Sequence, residues 1–335
     1  MTSTAEKTPI LRVDHLSTRF HTRRGVVYAV DGISFTVDRG RVVGLVGESG
    51  CGKSMTALSI MGLVPSPPGE VISQGIVLNG HDLAPLSYDA MCQVRGKAIA
   101  MIFQEPMTAL NPVLTVGRQV GEAIAVHRRL GRAEIRRRVI EMFHLVGIPE
   151  AASRYTAYPH QLSGGLRQRV MIAMALIAEP MLLIADEPTT ALDVTIQAQI
   201  LDLMLDLRAR LQTAIILITH DLGVIAEVCD DVNVMYAGGI VETAGVFDLF
   251  DRPLHPYTRG LLNSMPGMAA SGHRKRLTCI PGRVPSLHRL PAGCRFHPRC
   301  DRAMEICRRH PPGRYAAGDG HWVSCWGYAG KGEVA

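Results

Sequence analysis

Hydrophobic and polar residues alternate along residues 10–38, in the segments LRVDHLSTRF, VVYAV and ISFTV. Alternation of this kind predicts antiparallel strands with one buried face. Short strand-like segments recur further along the chain, in GIVLNG and AIAMIF. The first part of the chain is therefore predicted to contain an antiparallel β subdomain.

Continuous apolar runs replace this alternation elsewhere in the chain. Buried strands are predicted at 42–46, 181–186, 214–219 and 232–236, and helices at 55–63, 194–211 and 221–229. Strands that alternate with helices predict a parallel sheet with crossover helices, so the fold class is α/β. Between about 115 and 165, apolar residues three and four apart predict a helical subdomain.

The composition supports a folded chain. Of the 335 residues, 47% are hydrophobic and 20% are charged, which allows a sizeable core and excludes wholesale disorder. No apolar run approaches the ~18 residues that would indicate a membrane span. The N-terminal residues lack the apolar segment of a secretory signal, so the chain is expected in the cytosol, with at most a peripheral membrane role.

Charge and cysteine are concentrated near the C-terminus. Residues 1–251 contain 22 Lys and Arg against 26 Asp and Glu, whereas residues 252–335 contain 14 against 4. Regular periodicity also fades there, which predicts a domain at 1–252 and a separate extension at 253–335. The basic extension is compatible with nucleic acid, anionic lipid, an acidic partner or a solvated tail. Clustered cysteines in a cytosolic chain favour a metal site over disulfides.

A glycine-rich turn follows the first buried strand. GESGCGKS, from Gly47 to Ser54, lies between a predicted strand and a predicted helix and fits the phosphate-binding pattern G-x-x-x-x-G-K-[ST]. Its N–H groups and the following helix N-terminus would hold phosphates. Lys53 would reach the β- and γ-phosphates, and the Ser54 hydroxyl would bind Mg²⁺.

Two later strands end in polar side chains. MLLIADE places Asp186 and Glu187 at a strand terminus, and ITHD places His220 after the next strand. Ligands of open α/β sheets collect at the carboxyl ends of strands. Asp186 would hold Mg²⁺ beside Ser54, Glu187 would polarise the attacking water, and His220 would contact the γ-phosphate or that water.

A second candidate phosphate site begins a helix at LSGGLRQR. Ser163, Gly164 and Gly165 precede the helical run RQRVMIAMALIA. A hydroxyl and free N–H groups at a helix start favour an anion. One γ-phosphate does not need two such sites in one chain, so two chains facing head to tail are predicted.

Taken together, these motifs resemble those of the nucleotide-binding subunit of an ABC transporter. The resemblance covers about residues 10–250 and implies a RecA-like parallel sheet core, an antiparallel β subdomain and a helical subdomain. It implies that ATP is bound by Phe20 (Tyr28 being the weaker candidate for the adenine stack), Gly47, Glu48, Ser49, Gly50, Cys51, Gly52, Lys53, Ser54, Met55, Gln104 and His220. Ser54, Gln104 and Asp186 would bind Mg²⁺. Ser163, Gly164 and Gly165 would contact ATP of the partner chain, and Asp193 would couple the two sites.

Catalysis is expected from Glu187, His220 and Gln104. One residue departs from the family pattern, because Leu166 stands where many members have Gln. Ser163 and both glycines remain, so activity is expected to persist.

The extension resembles that of ATPases from the dipeptide/oligopeptide and nickel uptake branch, through HPYTRGLLNSMP and CRFHPRC. Cys294, Cys300, Cys307 and Cys325 follow the spacing C-x5-C-x6-C-x17-C, and Cys279 lies outside this set. Four thiolates suit Zn²⁺ or a 4Fe–4S cluster, and these gaps are longer than those of most zinc sites. The resemblance implies 4Fe–4S, with Zn²⁺ and unligated thiols as the alternatives.

The resulting hypothesis is an ATPase subunit that powers peptide import from the cytoplasmic face of the membrane. Its expected partners are two permease subunits, a second related ATPase or a second copy of itself, and an extracytoplasmic substrate-binding protein. Nickel chelates and glutathione-like molecules are alternative cargoes. A nucleic-acid-dependent ATPase and an ATP-binding regulatory protein are the competing classes. The few aromatic residues of the extension disfavour nucleic acid, and Glu187 disfavours a protein that only binds ATP.

Overall fold

The computed structural model describes residues 8–104, 109–190, 193–265, 279–318 and 320–330. Five residues of predicted motifs lie outside the described residues: Glu105 and Pro106 beside Gln104, Ala191 and Leu192 before Asp193, and Pro266 at the end of HPYTRGLLNSMP. The chain forms two compact units. The first comprises residues up to Ile10, Val37–Arg41 and Pro85–Leu217, and the second comprises Leu11–Thr36, Val42–Ala84 and residues from Ile218 onward. The predicted boundary at 252 stays a prediction.

An antiparallel sheet occupies part of the second unit, as the alternating pattern predicts. Its strands are β1 (Leu11–Thr22), β2 (Gly25–Val37), β4 (Gly69–Ile72), β5 (Gly75–Leu78) and β6 (His81–Asp82). β1 pairs with β4, where Phe20 lies opposite Gly69, and with β5, where Leu11 lies opposite Leu78. Buried and exposed residues alternate along β1 and β2, since successive side chains of a strand point to opposite faces.

The second unit also contains a parallel strand pair at the phosphate-binding sequence. β3 (Val42–Val46) is buried at all five positions and pairs in parallel with β10 (Asp231–Tyr236). Helix α1 (Lys53–Ile60) follows β3, and α8 (Leu222–Val228) packs on β3. A Cβ at Gly44 would lie 2.7 Å from Cδ1 of Ile225, so the close approach of α8 requires glycine there.

Two strands of the extension continue this sheet. β10 pairs with β11 (Gly239–Gly245), β11 with β13 (His321–Val323), and β13 with β12 (Tyr315–Gly318), all antiparallel. The sequence did not predict β11, β12 or β13. The remaining helices of this unit are α9 (Val246–Asp251), α10 (Pro256–Asn263) and α11 (Glu305–Arg309).

A buried carboxylate fastens the extension to β11. Glu242 is fully buried and accepts hydrogen bonds from the main-chain N–H groups of Leu254 and His255 and from Nε2 of His321. A buried carboxylate needs such donors because desolvation otherwise penalises its charge. Burial lowers the pKa of His255 to about 4, so this ring is neutral near pH 7.

The first unit holds the predicted helical subdomain. Its strands β7 (Ile99–Ile102) and β8 (Leu182–Asp186) pair in parallel. Its helices are α2 (Tyr88–Val94), α3 (Val116–Ala125), α4 (Arg132–Leu145), α5 (Ala151–Arg154), α6 (Gly164–Leu176) and α7 (Val194–Leu211). Helices α3, α4 and α6 pack on one another, and α6 also packs on β7. The boundary between the units falls inside β9 (Ala214–Thr219).

The parallel pairs and intervening helices confirm the α/β class. Among the helices that the structure describes, none has the length and hydropathy needed to cross a membrane.

Candidate active site

The glycine-rich turn forms a tight loop between β3 and α1. Gly47 has φ 150° and Gly52 has φ 110°, which side chains rarely allow. A Cβ at Gly47 would lie 2.2 Å from the carbonyl oxygen of Met235, and a Cβ at Gly52 would lie 2.5 Å from that of Ala29. Both positions require glycine because the backbones of β10 and β2 approach the loop this closely.

Lys53 folds back over this loop. Its side chain is buried, at 6% exposure, and Nζ donates hydrogen bonds to the carbonyl oxygens of Gly47 at 2.8 Å and Glu48 at 3.2 Å. Neutral carbonyls orient the ammonium group without cancelling its charge. The loop therefore holds a positioned cation, as a phosphate site requires.

The rest of the loop surrounds Lys53. Ser49 and Gly50 are exposed, Cys51 is buried, and Ser54 and Met55 are half-buried in the first turn of α1. No acidic residue lies in that first turn, so its free N–H groups face no competing carboxylate from the helix itself.

The first unit brings Gln104 and Glu187 together. Strand β8 ends at Asp186, which is 3% exposed, and Glu187 follows with φ 47°. Oε2 of Glu187 accepts hydrogen bonds from Nε2 of Gln104 at 3.1 Å and from Oγ1 of Thr190 at 2.9 Å. A left-handed conformation is costly for glutamate, and such strain is concentrated at functional sites.

The first unit also brings the LSGG segment next to the helix that follows Asp193. Oγ of Ser163 accepts from the N–H of Leu166 at 3.4 Å and caps α6; Ser163 and Gly164 are exposed, and Gly165 is half-buried. A Cβ at Gly165 would lie 3.0 Å from Cγ2 of Ile196. Oδ1 of Asp193 accepts from the N–H of Ile196 at 2.9 Å and caps α7.

The remaining nucleotide candidates lie in the second unit. His220 is exposed and directly follows β9. Phe20 is half-buried in β1, where a Cβ on the opposite residue, Gly69, would lie 3.1 Å from the Phe20 ring. Tyr28 is half-buried in β2.

Four of the five cysteines of the extension, Cys294, Cys300, Cys307 and Cys325, line one cavity of about 220 Å³. Burial raises the pKa of Cys294 to about 11, and it also raises the pKa values of Cys300 and Cys325. Cys279 is exposed and does not line this cavity. Among the described residues, no three or more His, Cys, Asp or Glu side chains converge closely enough to hold a metal ion. The four thiols thus share one cavity.

The structure adds a contact that the sequence did not predict. Arg299 forms a bidentate ion pair with Glu48 of the glycine-rich turn, at 2.7 and 3.0 Å, and the N–H of Glu48 donates to Oη of Tyr257 at 2.8 Å. The partners are more than 200 residues apart in the sequence. The sequence signal for this contact is the presence of two arginines, Arg295 and Arg299, between Cys294 and Cys300.

Comparison with protein families identifies both parts of the chain. Residues 30–190 match the family described as ABC transporter, and residues 241–307 match the family described as Oligopeptide/dipeptide transporter, C-terminal region. The first match contains the glycine-rich turn and Asp186–Glu187, and the second contains three of the four clustered cysteines.

Similar proteins extend over nearly the whole chain. The oligopeptide transport ATP-binding protein AppD of Bacillus subtilis is 50% identical, over 96% of this chain and 98% of its own length. The dipeptide transport ATP-binding protein DppD of the same organism is 50% identical, over 95% of this chain and 94% of its own.

Solved structures support the same fold. The protein cbiO1 from Clostridium perfringens, part of the ABC transporter complex cbiONQ, has a TM-score of 0.63 at 29% identity, over 73% of this chain and 91% of its own. The ATP-binding cassette MJ0796, a dimer bound to ADP and Pi, has a TM-score of 0.63 at 25% identity. The match covers 70% of this chain and 98% of the MJ0796 chain.

Proposed function

This chain belongs to the ABC transporter family, and on that premise we propose that it is the ATP-hydrolysing subunit of a peptide importer. The proposal of peptide cargo is supported by relatives named for oligopeptide and dipeptide transport, which are similar along nearly all of their length. The match of residues 241–307 to the oligopeptide/dipeptide transporter C-terminal region supports the same cargo class.

The observation that carries the ATPase assignment is the position of Lys53. A buried ammonium group held by two loop carbonyls and by Sγ of Cys51 at 3.9 Å, beside glycines that permit a tight turn, suits a triphosphate. In the proposed site residues 47–55 hold the phosphates through loop N–H groups other than those of Glu48 and Cys51, which donate within the protein, and Phe20 stacks on adenine. Ser54, Gln104 and Asp186 would hold Mg²⁺, which neutralises phosphate charge when bound.

Hydrolysis is assigned to Glu187, Gln104 and His220. Glu187 accepts the proton of the attacking water, because its carboxylate is fixed by Gln104 and Thr190 at the end of a buried strand. Gln104 also orients that water and relays nucleotide state to the membrane partner. His220 donates a hydrogen bond to the γ-phosphate.

Two ATPase chains are proposed to act together. Ser163, Gly164 and Gly165 at the start of α6, of which the first two are exposed, would contact ATP of the partner chain, and Asp193 would couple the two sites. The partner ATPase is a related chain or a second copy. Two permease subunits would receive the motion on the cytoplasmic face, and a substrate-binding protein would deliver the peptide from the other side.

We propose a 4Fe–4S cluster as the ligand of Cys294, Cys300, Cys307 and Cys325. The proposal is supported by the four thiols lining one cavity, since four thiolates are the ligand set of such a cluster. Anaerobically purified protein is expected to contain iron and acid-labile sulfide, and both are expected to fall in Cys300→Ser but not in Cys279→Ser. Stoichiometric zinc, or no metal, would overturn the assignment.

The function is tested in the assembled transporter. Lys53→Ala is expected to abolish peptide uptake and the binding of ATP, whereas Lys97→Ala, an exposed lysine of the first unit, is expected to retain both. The uptake panel contains dipeptides, longer peptides, glutathione and a nickel chelate. Uptake by Lys53→Ala at the parent rate contradicts the ATPase assignment, and uptake of only the last two substrates contradicts peptide cargo.

A further inference from the structure

The segment between the first two clustered cysteines is tied to the glycine-rich turn by Arg299. The Arg299 side chain is only 4% exposed, and both its terminal nitrogens donate to the two carboxylate oxygens of Glu48, at 2.7 and 3.0 Å. Its Nε donates to the carbonyl oxygen of Pro281 at 2.9 Å. A planar guanidinium in this two-point contact fixes both the position and the orientation of the carboxylate.

A second arginine of the same segment reaches the backbone beside that turn. Arg295 pairs with Asp31, and its Nη1 donates to the carbonyl oxygen of Ala237 at 2.6 Å. The adjacent Gly238 donates from its N–H to the carbonyl oxygen of Cys51, inside the turn, at 2.9 Å. The segment therefore supports the glycine-rich turn at two places.

Aromatic side chains make this support rigid. Phe296 lies between the two arginines in the sequence and is buried against Tyr236 and Tyr257, with ring centroids 5.2 and 5.5 Å apart. Oη of Tyr257 accepts from the N–H of Glu48. Close-packed rings resist displacement, so the main chain and the side chain of Glu48 are both held by groups outside the turn.

We infer that Arg299 is a positioning residue for nucleotide binding, which acts by neutralising and fixing Glu48 inside the phosphate loop. The inference rests on the proposed function of residues 47–54. An unpaired carboxylate one residue into this loop would repel a triphosphate, and the bound guanidinium cancels that charge. The cysteine-bearing extension thereby sets the affinity of the loop for ATP.

The test measures the Kd of a fluorescent ATP analogue with Mg²⁺ for the full chain. Arg299→Gln is expected to weaken binding about tenfold, since it leaves the Glu48 carboxylate unpaired. The double variant Glu48→Gln/Arg299→Gln is expected to recover to within about threefold of the parent, because the repelling charge is gone. Arg299→Lys is expected to lie between the parent and Arg299→Gln, because it keeps the charge and loses the two-point contact.

Recovery in the double variant separates charge compensation from simple damage to the fold. A double variant that binds as weakly as Arg299→Gln overturns the inference, and so does parent-like binding by Arg299→Gln. The exposed pair of Glu305 and Arg309 provides the matched control, and Arg309→Gln is expected to bind as the parent does. If Arg299→Gln does not fold, the Kd of Arg299→Lys decides the question. A parent-like Kd overturns the inference, and a Kd raised by less than about tenfold supports it.

Lys53→Ala distinguishes this inference from the proposed function. Loss of binding in Lys53→Ala together with parent-like binding in Arg299→Gln overturns the role of Arg299 alone. Parent-like binding in Lys53→Ala overturns the proposed phosphate site itself, whatever Arg299→Gln does.

Discussion

Both the backbone conformation and the carboxylate contacts of Glu187 support its proposed role as the general base. It adopts φ 47° directly after buried Asp186, and its Oε2 accepts from Gln104 and Thr190. A residue in this conformation costs about 1–3 kcal/mol, which the surrounding structure must offset. Such a cost suits a side chain whose direction matters for chemistry.

Glu187→Gln is expected to lower ATP turnover by about a hundredfold or more, since general bases contribute factors of that size. Amide and carboxylate have the same shape, so nucleotide affinity is expected to stay within about twofold. Steady-state turnover and analogue binding of the purified chain measure the two effects. Glu227→Gln, an exposed residue of α8, is the control and is expected to leave both unchanged. Parent-like turnover in Glu187→Gln would exclude it as the base.

The residues that sequence could predict are those whose chemistry is local. The turn from Gly47 to Ser54 can be predicted because the spaced glycines, Lys53, and the flanking strand and helix are contiguous in the sequence. The pair of Arg299 and Glu48 joins positions 251 residues apart, and nothing in either local sequence specifies the other. Only folding of the extension brings them together.

At the scale of elements, several residues of the predicted site lie at the first turns of helices. Ser163 caps α6 and Asp193 caps α7, so one residue at each start serves helix stability as well as its proposed role. Short strands of the extension could not be predicted from hydrophobic periodicity. β12 and β13 are only four and three residues long and contain a glycine and a histidine, so the alternation is too short to recognise.

Replacements at Ser163 separate capping from phosphate contact. Ser163→Ala is expected to cost about 1 kcal/mol of stability through the lost cap. Ser163→Asp keeps a capping acceptor and is expected to retain the parent melting temperature, yet its charge opposes a phosphate. Both variants are expected to lose turnover, and Ser153→Ala, on short α5, is the control. High turnover in Ser163→Asp would contradict contact with the partner's ATP.

Six arginines occur between residues 128 and 138, and the last two of them form ion pairs on α4. Glu134 accepts from Arg137 at 2.7 Å and from Arg138 at 2.8 Å, and Arg137 also donates to Glu141. This network pairs Arg137 and Arg138 with acids of their own helix, as expected for a solvated face. These hydrogen bonds lower the pKa of Glu134 to about 2.

The lowered pKa of Glu134 gives a pH dependence with a defined sign. A carboxyl whose folded pKa lies below its usual 4.5 stabilises the fold above pH 4.5, and this contribution is lost as the pH falls towards 2. Glu134→Gln is expected to lower the apparent melting temperature at pH 7, by less and less below pH 4.5. Thermal unfolding across this range measures it, with Glu122→Gln of α3 as the control. A constant difference would contradict the ion-pair explanation.

At the scale of the whole molecule, basic residues are concentrated in the extension, and some of them are paired within the fold. The extension contains a large excess of basic residues, and this composition is compatible with a nucleic-acid partner. In the structure Arg295 pairs with Asp31, Arg299 pairs with Glu48, and the guanidinium of Arg314 lies 3.4 Å from the ring centroid of Trp322. These arginines serve internal contacts, which sequence counts cannot reveal.

Nucleic acid binding is therefore expected to be weak and non-specific. Affinity for phosphate backbones depends on accessible Lys and Arg, and falls steeply with salt. Fluorescence anisotropy with short duplex and single-stranded DNA is expected to show binding at low salt that vanishes at physiological salt. Polyglutamate is expected to compete equally well, because only charge is involved. Saturable binding at physiological salt that resists polyglutamate would instead favour an ATPase acting on nucleic acid.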